Sequence, residues 1–188
     1  EVLPSDEAPT RHLVAVGRPT VSAERGPVEQ TGRPLDLAVQ GEGFFVAQGP
    51  AGPVLLNSVS AHLGSDGRLR DSANRVLSFA GDEGRIDPGS PVQIGEHGQV
   101  IQFGQEVARL LMVDVPNPRG LVPVGAGGYA ATSESGAAFP ASAKVFSGGI
   151  EKSNVNPVDN MVRMIALERD FQSLTRVIHA YREADDGI

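Results

Sequence analysis

The hydrophobic rhythm of the chain changes near Gly148-Gly149. Upstream, apolar residues come in short runs cut by Gly, Pro, Asn or Asp. Leu35-Asp36-Leu37-Ala38-Val39 partly alternates, Gly41-Glu42-Gly43 turns, and Phe44-Phe45-Val46-Ala47 follows. Asp66-Gly67 is a turn pair, since both residue types tolerate positive φ. Val76–Phe79 and Pro91–Ile94 come next, and Glu96-His97-Gly98 separates the latter from Val100–Phe103 as a hairpin. Val107–Val115 is the longest strand candidate. Its run Leu110-Leu111-Met112-Val113 predicts burial on both faces, and Pro116-Asn117-Pro118 ends it because Pro cannot donate to a ladder. Ala143–Phe146 is the last strand before Gly148. Short strands with regular turn signals predict a β-rich module of antiparallel strands over residues 35–149. No self-similarity at the roughly 34- or 40-residue periods of solenoids and propellers is visible.

Residues 1–34 read differently. Pro4, Pro9, Pro19, Pro27 and Pro34 interrupt them, which predicts an extended linker that pairs where it can, with one strand at Leu13–Val16. Residues 150–188 are predicted to form one long C-terminal helix. Asn156-Pro157-Val158-Asp159 supplies a cap, a Pro at the first helical position and an acid for the positive end of the dipole. Met164, Leu167, Phe171, Leu174, Ile178 and Tyr181 follow at steps of three and four, a heptad-like stripe. Val158, Met161, Val162 and Ile165 are read as widening that stripe at its start. At 1.5 Å per residue the rod is on the order of 40 Å long. That is too long for the β-module to cover, and the sequence holds no second amphipathic helix. A partner helix from another chain, or from a segment outside these residues, is the expected mate, because an apolar face seeks burial.

Composition sharpens this division. Of 23 Gly and 14 Pro in 188 residues, only Pro157 and Gly187 lie beyond position 149. The absence of Cys excludes a disulfide framework, a thiolate metal site and a cysteine nucleophile. A net charge of -7 with pI near 5.1 argues against nucleic-acid binding. With Lys144 and Lys152 the only lysines, no polybasic membrane patch exists. No apolar run approaches the roughly 20 residues of a membrane span, and no charged-then-apolar signal pattern opens the chain.

Little catalytic chemistry is visible. His12, His62, His97 and His179 are scattered without zinc-type spacing. Gly125-Ala126-Gly127-Gly128-Tyr129-Ala130 fits G-x-G-x-x-A formally, but the loop-like Thr132–Gly136 follows where a dinucleotide site needs a helix. Glu83 and Asp87 are a chance carboxylate pair, Glu42 is a turn residue, and Asp159 with Arg163 is a surface helix pair. No cofactor, metal or catalytic residue is expected.

Two segments carry a specific resemblance. Within residues 148–165, Gly149-Ile150-Glu151-Lys152-Ser153-Asn154-Val155-Asn156-Pro157-Val158-Asp159-Asn160-Met161-Val162, continued by Met164–Phe171, resembles the C-terminal signature of bacterial flagellar rod and hook proteins, G-x-L-E-x-S-N-V-N before a helix. Gln30-Thr31-Gly32-Arg33-Pro34-Leu35-Asp36-Leu37-Ala38-Val39-Gln40-Gly41-Glu42-Gly43-Phe44-Phe45 is similar to the T-G-x-x-L-D-x-A-I-x-G-x-G-F-F stretch of the same family. The resemblance implies a structural subunit of the basal-body rod, most like its proximal-rod members, with no enzymatic activity. It implies export by the flagellar type III apparatus without a cleaved signal, a periplasmic rod location and self-assembly with other axial proteins through terminal helices. Asn154, Val155 and Asn156 would form the hinge. Met161, Met164, Leu167, Phe171, Leu174, Ile178 and Tyr181 would serve assembly. Family members begin with a helix that Glu1 does not follow, so the chain is expected to be shortened or processed. The family's T-R-x-G turn would fall at Leu56–Val59 and is absent. The alternatives are a distal rod or hook subunit, or a secreted β-fold carbohydrate-binding or hydrolytic module.

Overall fold

The computed structural model describes residues 25–81 and 86–185, with only the backbone for 180–185. The expected strand at Leu13–Val16 lies outside the described residues, as does His12. The first strands are β1 (Val28–Gln30), β2 (Asp36–Gln40), β3 (Phe44–Gly49), β4 (Gly52–Leu56), β5 (Ser58–Ser60) and β6 (His62–Leu63). Next come β7 (Leu69–Arg70), β8 (Val76–Leu77), β9 (Gln93–Ile94), β10 (Gln99–Gln102), β11 (Gln105–Arg109) and β12 (Met112–Asp114). After a 3₁₀ turn at Pro118–Gly120 follow β13 (Val122–Gly125), β14 (Gly128–Ala130), β15 (Phe139–Pro140), β16 (Lys144–Ser147) and β17 (Gly149–Glu151). One long helix, α1 (Pro157–Asp185), ends the described chain. Among the described residues the fold is mainly antiparallel β with a single α-helix at the C-terminal end.

The main sheet runs β13-β14-β4-β3-β8-β7-β6, with β12 pairing β3 and β15 alongside. Smaller sheets run β16-β2-β5, β11-β10-β9 and β1-β17. The strand β3 is the hub, because its sequence is apolar at every one of its first four positions. Phe45 and Ala47 enter the larger core with Leu37, Leu56, Leu69, Leu77 and Val100. Phe44 and Val46 face the other way, into a smaller cluster with Leu55, Val115 and Leu121. A period-two backbone sends successive side chains to opposite faces, so an unbroken apolar run is buried on both.

The stretch read as one strand at Val107–Val115 is two. The chain leaves β10 after Arg109 and joins β3 at Met112. Leu110 makes the switch: its N–H donates to the Gly98 carbonyl at 2.8 Å, and it bridges Phe79. Burial on both faces holds, with Leu110 and Met112 in the larger core and Leu111 and Val113 packed on the smaller. Phe103, read as a strand end, is instead a turn residue at φ 53°. Between β7 and β8 the Arg75 guanidinium donates to Asp71 at 2.6 Å, both side chains being buried. The same guanidinium donates to the Ala126 carbonyl at 2.9 Å, tying this loop to the β13–β14 hairpin.

Candidate assembly surface

The two signature segments lie more than a hundred residues apart in sequence and meet in space. Thr31 and Gly32 donate their N–H groups to the Gly148 carbonyl at 2.8 and 3.1 Å. The Gly148 N–H donates in turn to the Asp36 carbonyl at 2.8 Å, at φ 88°, where glycine is at ease. Ser147 Oγ donates to the Pro34 carbonyl at 2.7 Å, and β16 pairs along β2. The Asp36 carboxylate, buried, accepts from Thr31 Oγ1 at 2.6 Å, Ser60 Oγ at 2.7 Å and Arg33 Nε at 2.8 Å. Burial by itself pushes this carboxyl up. The hydrogen bonds from Thr31, Arg33 and Ser60, with the Arg33 charge, outweigh burial and hold its pKa below the ordinary aspartate value.

Above this knot a short neck carries the chain to α1. Here β1 pairs antiparallel with β17, Val28 opposite Glu151 and Gln30 opposite Gly149. Gly26 N–H donates to Glu151 Oε1 at 3.0 Å, and Lys152 N–H to the Pro27 carbonyl at 2.9 Å. The Arg25 guanidinium reaches the Val39 and Gly43 carbonyls at 3.0 and 2.8 Å and lies 3.5 Å from Glu151. A methyl group on Gly26 would collide with the Lys152 carbonyl oxygen. So residues read from sequence as linker form one strand of the neck. Arg25, Gly26 and Asp36 were not singled out in sequence as functional, although Asp36 stood inside a quoted signature segment.

Among the predicted hinge residues, Asn156 has a resolved role. Its Oδ1 accepts the Val158 N–H at 3.0 Å and its carbonyl accepts the Asn160 N–H at 3.2 Å, capping the helix that starts on Pro157. Val155 N–H donates to Ser153 Oγ at 3.2 Å, and Asn154 is exposed on the same short turn.

Beyond the cap, α1 runs for 29 residues. Its apolar side chains are solvated: Met161 is 67%, Leu167 68%, Phe171 71% and Leu174 63% exposed, with Met164 and Ile178 likewise exposed. Tyr181 lies on the helix, but its side chain is outside the described set. In a continuous helix of about 100° per residue, Met164, Leu167, Phe171, Leu174, Ile178 and position 181 share one face. Val158, Met161, Val162 and Ile165 centre roughly 160° away from them. They do not widen the stripe; they form a second apolar patch on the opposite face of the first turns. Met161 therefore stands apart from the rest of its predicted set.

The remaining candidates take plain roles. Gly125-Ala126-Gly127 is the turn of the β13–β14 hairpin, with positive φ at all three residues. That is not the strand-to-helix junction a dinucleotide needs. Asp87 has its carboxylate held below the usual range by Ser90 Oγ and the Gly89 N–H, while Glu83 is outside the described residues. Among the described residues no group of three His, Cys, Asp or Glu side chains could hold a metal, and no helix is long and apolar enough to cross a membrane. A cavity of about 350 Å³ opens on the Phe44 side of β3, lined by Phe44, Val115, Leu121, Tyr129 and Phe139 with Glu42 and Asp114.

Comparison with known proteins bears on the same regions. Residues 147–187, which include β17, the hinge and α1, match the family model described as flagellar basal body rod FlgEFG protein C-terminal. The flagellar basal-body rod protein FlgF of Mesorhizobium japonicum is 27% identical over 173 residues, covering 90% of this chain and 72% of that protein. FlgF of Caulobacter vibrioides is 29% identical over 156 residues, covering 82% of this chain and 64% of its own length. FlgF of Salmonella typhimurium is 29% identical over 197 residues, covering 93% of this chain and 74% of that protein.

Proposed function

We propose that the chain is a member of the flagellar basal-body rod protein family, being similar along most of its length to FlgF members, and that it joins the rod as follows. It is a structural subunit of the flagellar basal body rather than an enzyme, and it assembles with other axial proteins. The distal-rod, hook and secreted-module alternatives are not favoured.

In our reading α1 is the assembly element and the β-module is its carrier. One observation carries this: a 29-residue helix, rigidly capped by Asn156, presents its large apolar side chains to solvent along its described length. Burying a Leu or Phe of this kind is worth about 1.5–3 kcal/mol before the cost of association. A stripe of five such residues is ample drive for docking against another helix. Steps of three and four suit knobs-into-holes packing on a terminal helix of an axial neighbour.

The two opposed patches refine the reading. One partner helix covers one side of a helix, so the patch at Val158, Met161, Val162 and Ile165 meets a different neighbour from the stripe at Met164–Ile178. A helix apolar on two sides is one packed between neighbours in a wall. The neck, held by Arg25, Asp36 and Gly148, fixes how the helix leaves the β-module. We also propose the export route usual for the family, through the flagellar type III apparatus without signal cleavage, to a periplasmic rod.

The test is a charge in the stripe. Leu174→Asp leaves the β-module untouched, since Leu174 contacts none of its core. Expression of the full-length variant in a strain lacking the native protein should give no incorporation into purified basal bodies. Incorporation at the wild-type level would remove α1 as the assembly element.

A further inference from the structure

The tip of the β10–β11 hairpin is built against local preference. Ile101 pairs with Glu106 and Gln102 with Gln105, leaving a two-residue loop, Phe103-Gly104. Both loop residues have positive φ, 53° and 74°, the type I′ arrangement. Asn, Asp or Gly fits the first loop position; a bulky aromatic there is strained. Phe103 is moreover 79% exposed, so its ring gains nothing from its own fold.

The platform beneath it is firm. Gln102 is buried, and its side-chain amide donates to the Asp87 and Ser90 carbonyls at 3.0 and 3.1 Å while accepting the Asp87 N–H at 2.9 Å. An aromatic ring is thus held out on a braced turn. That is the form of a preorganised anchor, with little conformational freedom left to lose on docking.

The same chain carries a matching socket. The cavity of about 350 Å³ on the Phe44 side of β3 is lined by the apolar side chains of Phe44, Val115, Leu121, Tyr129 and Phe139. Phe44 and Tyr129 already meet edge to face, 6.4 Å apart at 69°, and a further ring extends such a cluster favourably. The hairpin packs on the opposite side of β3: its Val100 and Ala108 belong to the Phe45 cluster, not the Phe44 cluster. Phe103 is therefore not placed to fill the socket of its own molecule. Charge agrees as well. Arg25, Glu42 and Asp114 line the socket, and no charged residue lies within two positions of Phe103, so an uncharged tip brings no like charge against any of them.

We propose that Phe103 of one subunit inserts into the Phe44–Leu121–Tyr129 cavity of a second copy of this chain. A knob and a hole on different faces of one molecule make a head-to-tail contact that passes from copy to copy, into a ring or an open helix according to the rotation between copies. The contact joins β-modules and does not rest on the part assigned to α1; its test below is run with the helix stripe silenced.

The test places the photoreactive residue p-benzoylphenylalanine at position 103 of the purified full chain carrying Leu174→Asp. Illumination should give a covalent dimer whose cross-link maps to the cavity lining of the second copy, at residues 42–44, 57, 114–129 or 139. Phe139→Asp should lower its yield on the order of tenfold, the effect of losing a wall of an anchor pocket. In parallel, Phe103→Asn without the photoreactive group should keep or raise the melting temperature, because Asn accepts positive φ. Absence of a dimer, or a cross-link mapping elsewhere on the second copy, would overturn the proposal. So would a lowered melting temperature for Phe103→Asn, which would make Phe103 a residue of its own fold.

Discussion

The backbone N–H of Gly148 donates to the carbonyl of Asp36 at 2.8 Å, fastening the end of the β-module to its first buried strand. The Asp36 side chain works at the same point, gathering three donors from Thr31, Arg33 and Ser60. Asp36→Ala removes the buried charged acceptor that these three donors share, although Thr31 and Arg33 themselves reach solvent. It should lower unfolding stability by about 1–3 kcal/mol, read from urea denaturation followed by circular dichroism.

The same carboxylate makes stability depend on pH in a defined direction. Its folded pKa is lowered, so the unfolded chain takes up the proton first as pH falls. The stabilisation it gives is complete above the unfolded value of about 3.9 and is lost as pH drops from there through the folded value. Asp36→Asn removes this contribution. The stability difference between wild type and Asp36→Asn should therefore be constant near neutrality and shrink in acid, as measured by thermal melts across the pH series.

Asp71 and Arg75 form a buried ion pair at 2.6 Å, and the guanidinium also holds the Ala126 carbonyl. Removing one partner leaves an uncompensated charge. Asp71→Ala should cost about 3–5 kcal/mol, and the double variant Asp71→Ala/Arg75→Met should recover part of it. Equilibrium unfolding of the two proteins checks the sign and the recovery.

The neck is vulnerable at Gly26, where a methyl group meets the Lys152 carbonyl oxygen. Gly26→Ala should open the β1–β17 ladder without melting the core. Amide hydrogen exchange should accelerate at Val28–Gln30 and Gly149–Glu151 while Phe45 and Leu77 stay protected.

Much of this architecture was legible in the residues. Turn chemistry located β2, β3, β10 and β16, and Asn156-Pro157 located the start of α1, because caps and turns are local. Strands that break local rules escaped. Pro53 argues against a strand, yet β4 forms beside β3, where Gln48 lies opposite Pro53. Gly125 and Gly128 hide β13 and β14 for the same reason. The division of Val107–Val115 depends on Leu110 meeting Gly98 and Phe79, contacts with no trace in a window of sequence. The spacing along α1 was readable, but the opposition of its two apolar patches emerged only when the angles were followed through one unbroken helix. The neck required Gly148 and Asp36 to be brought together across the whole module.

The central claim is that α1 carries assembly through its Leu174 face. The most direct measurement is the amount of full-length Leu174→Asp protein in basal bodies purified from cells lacking the native copy. Wild-type circular dichroism of the β-module with no variant protein in the basal bodies is the result the account predicts. A folded variant present in basal bodies at the wild-type amount would contradict it.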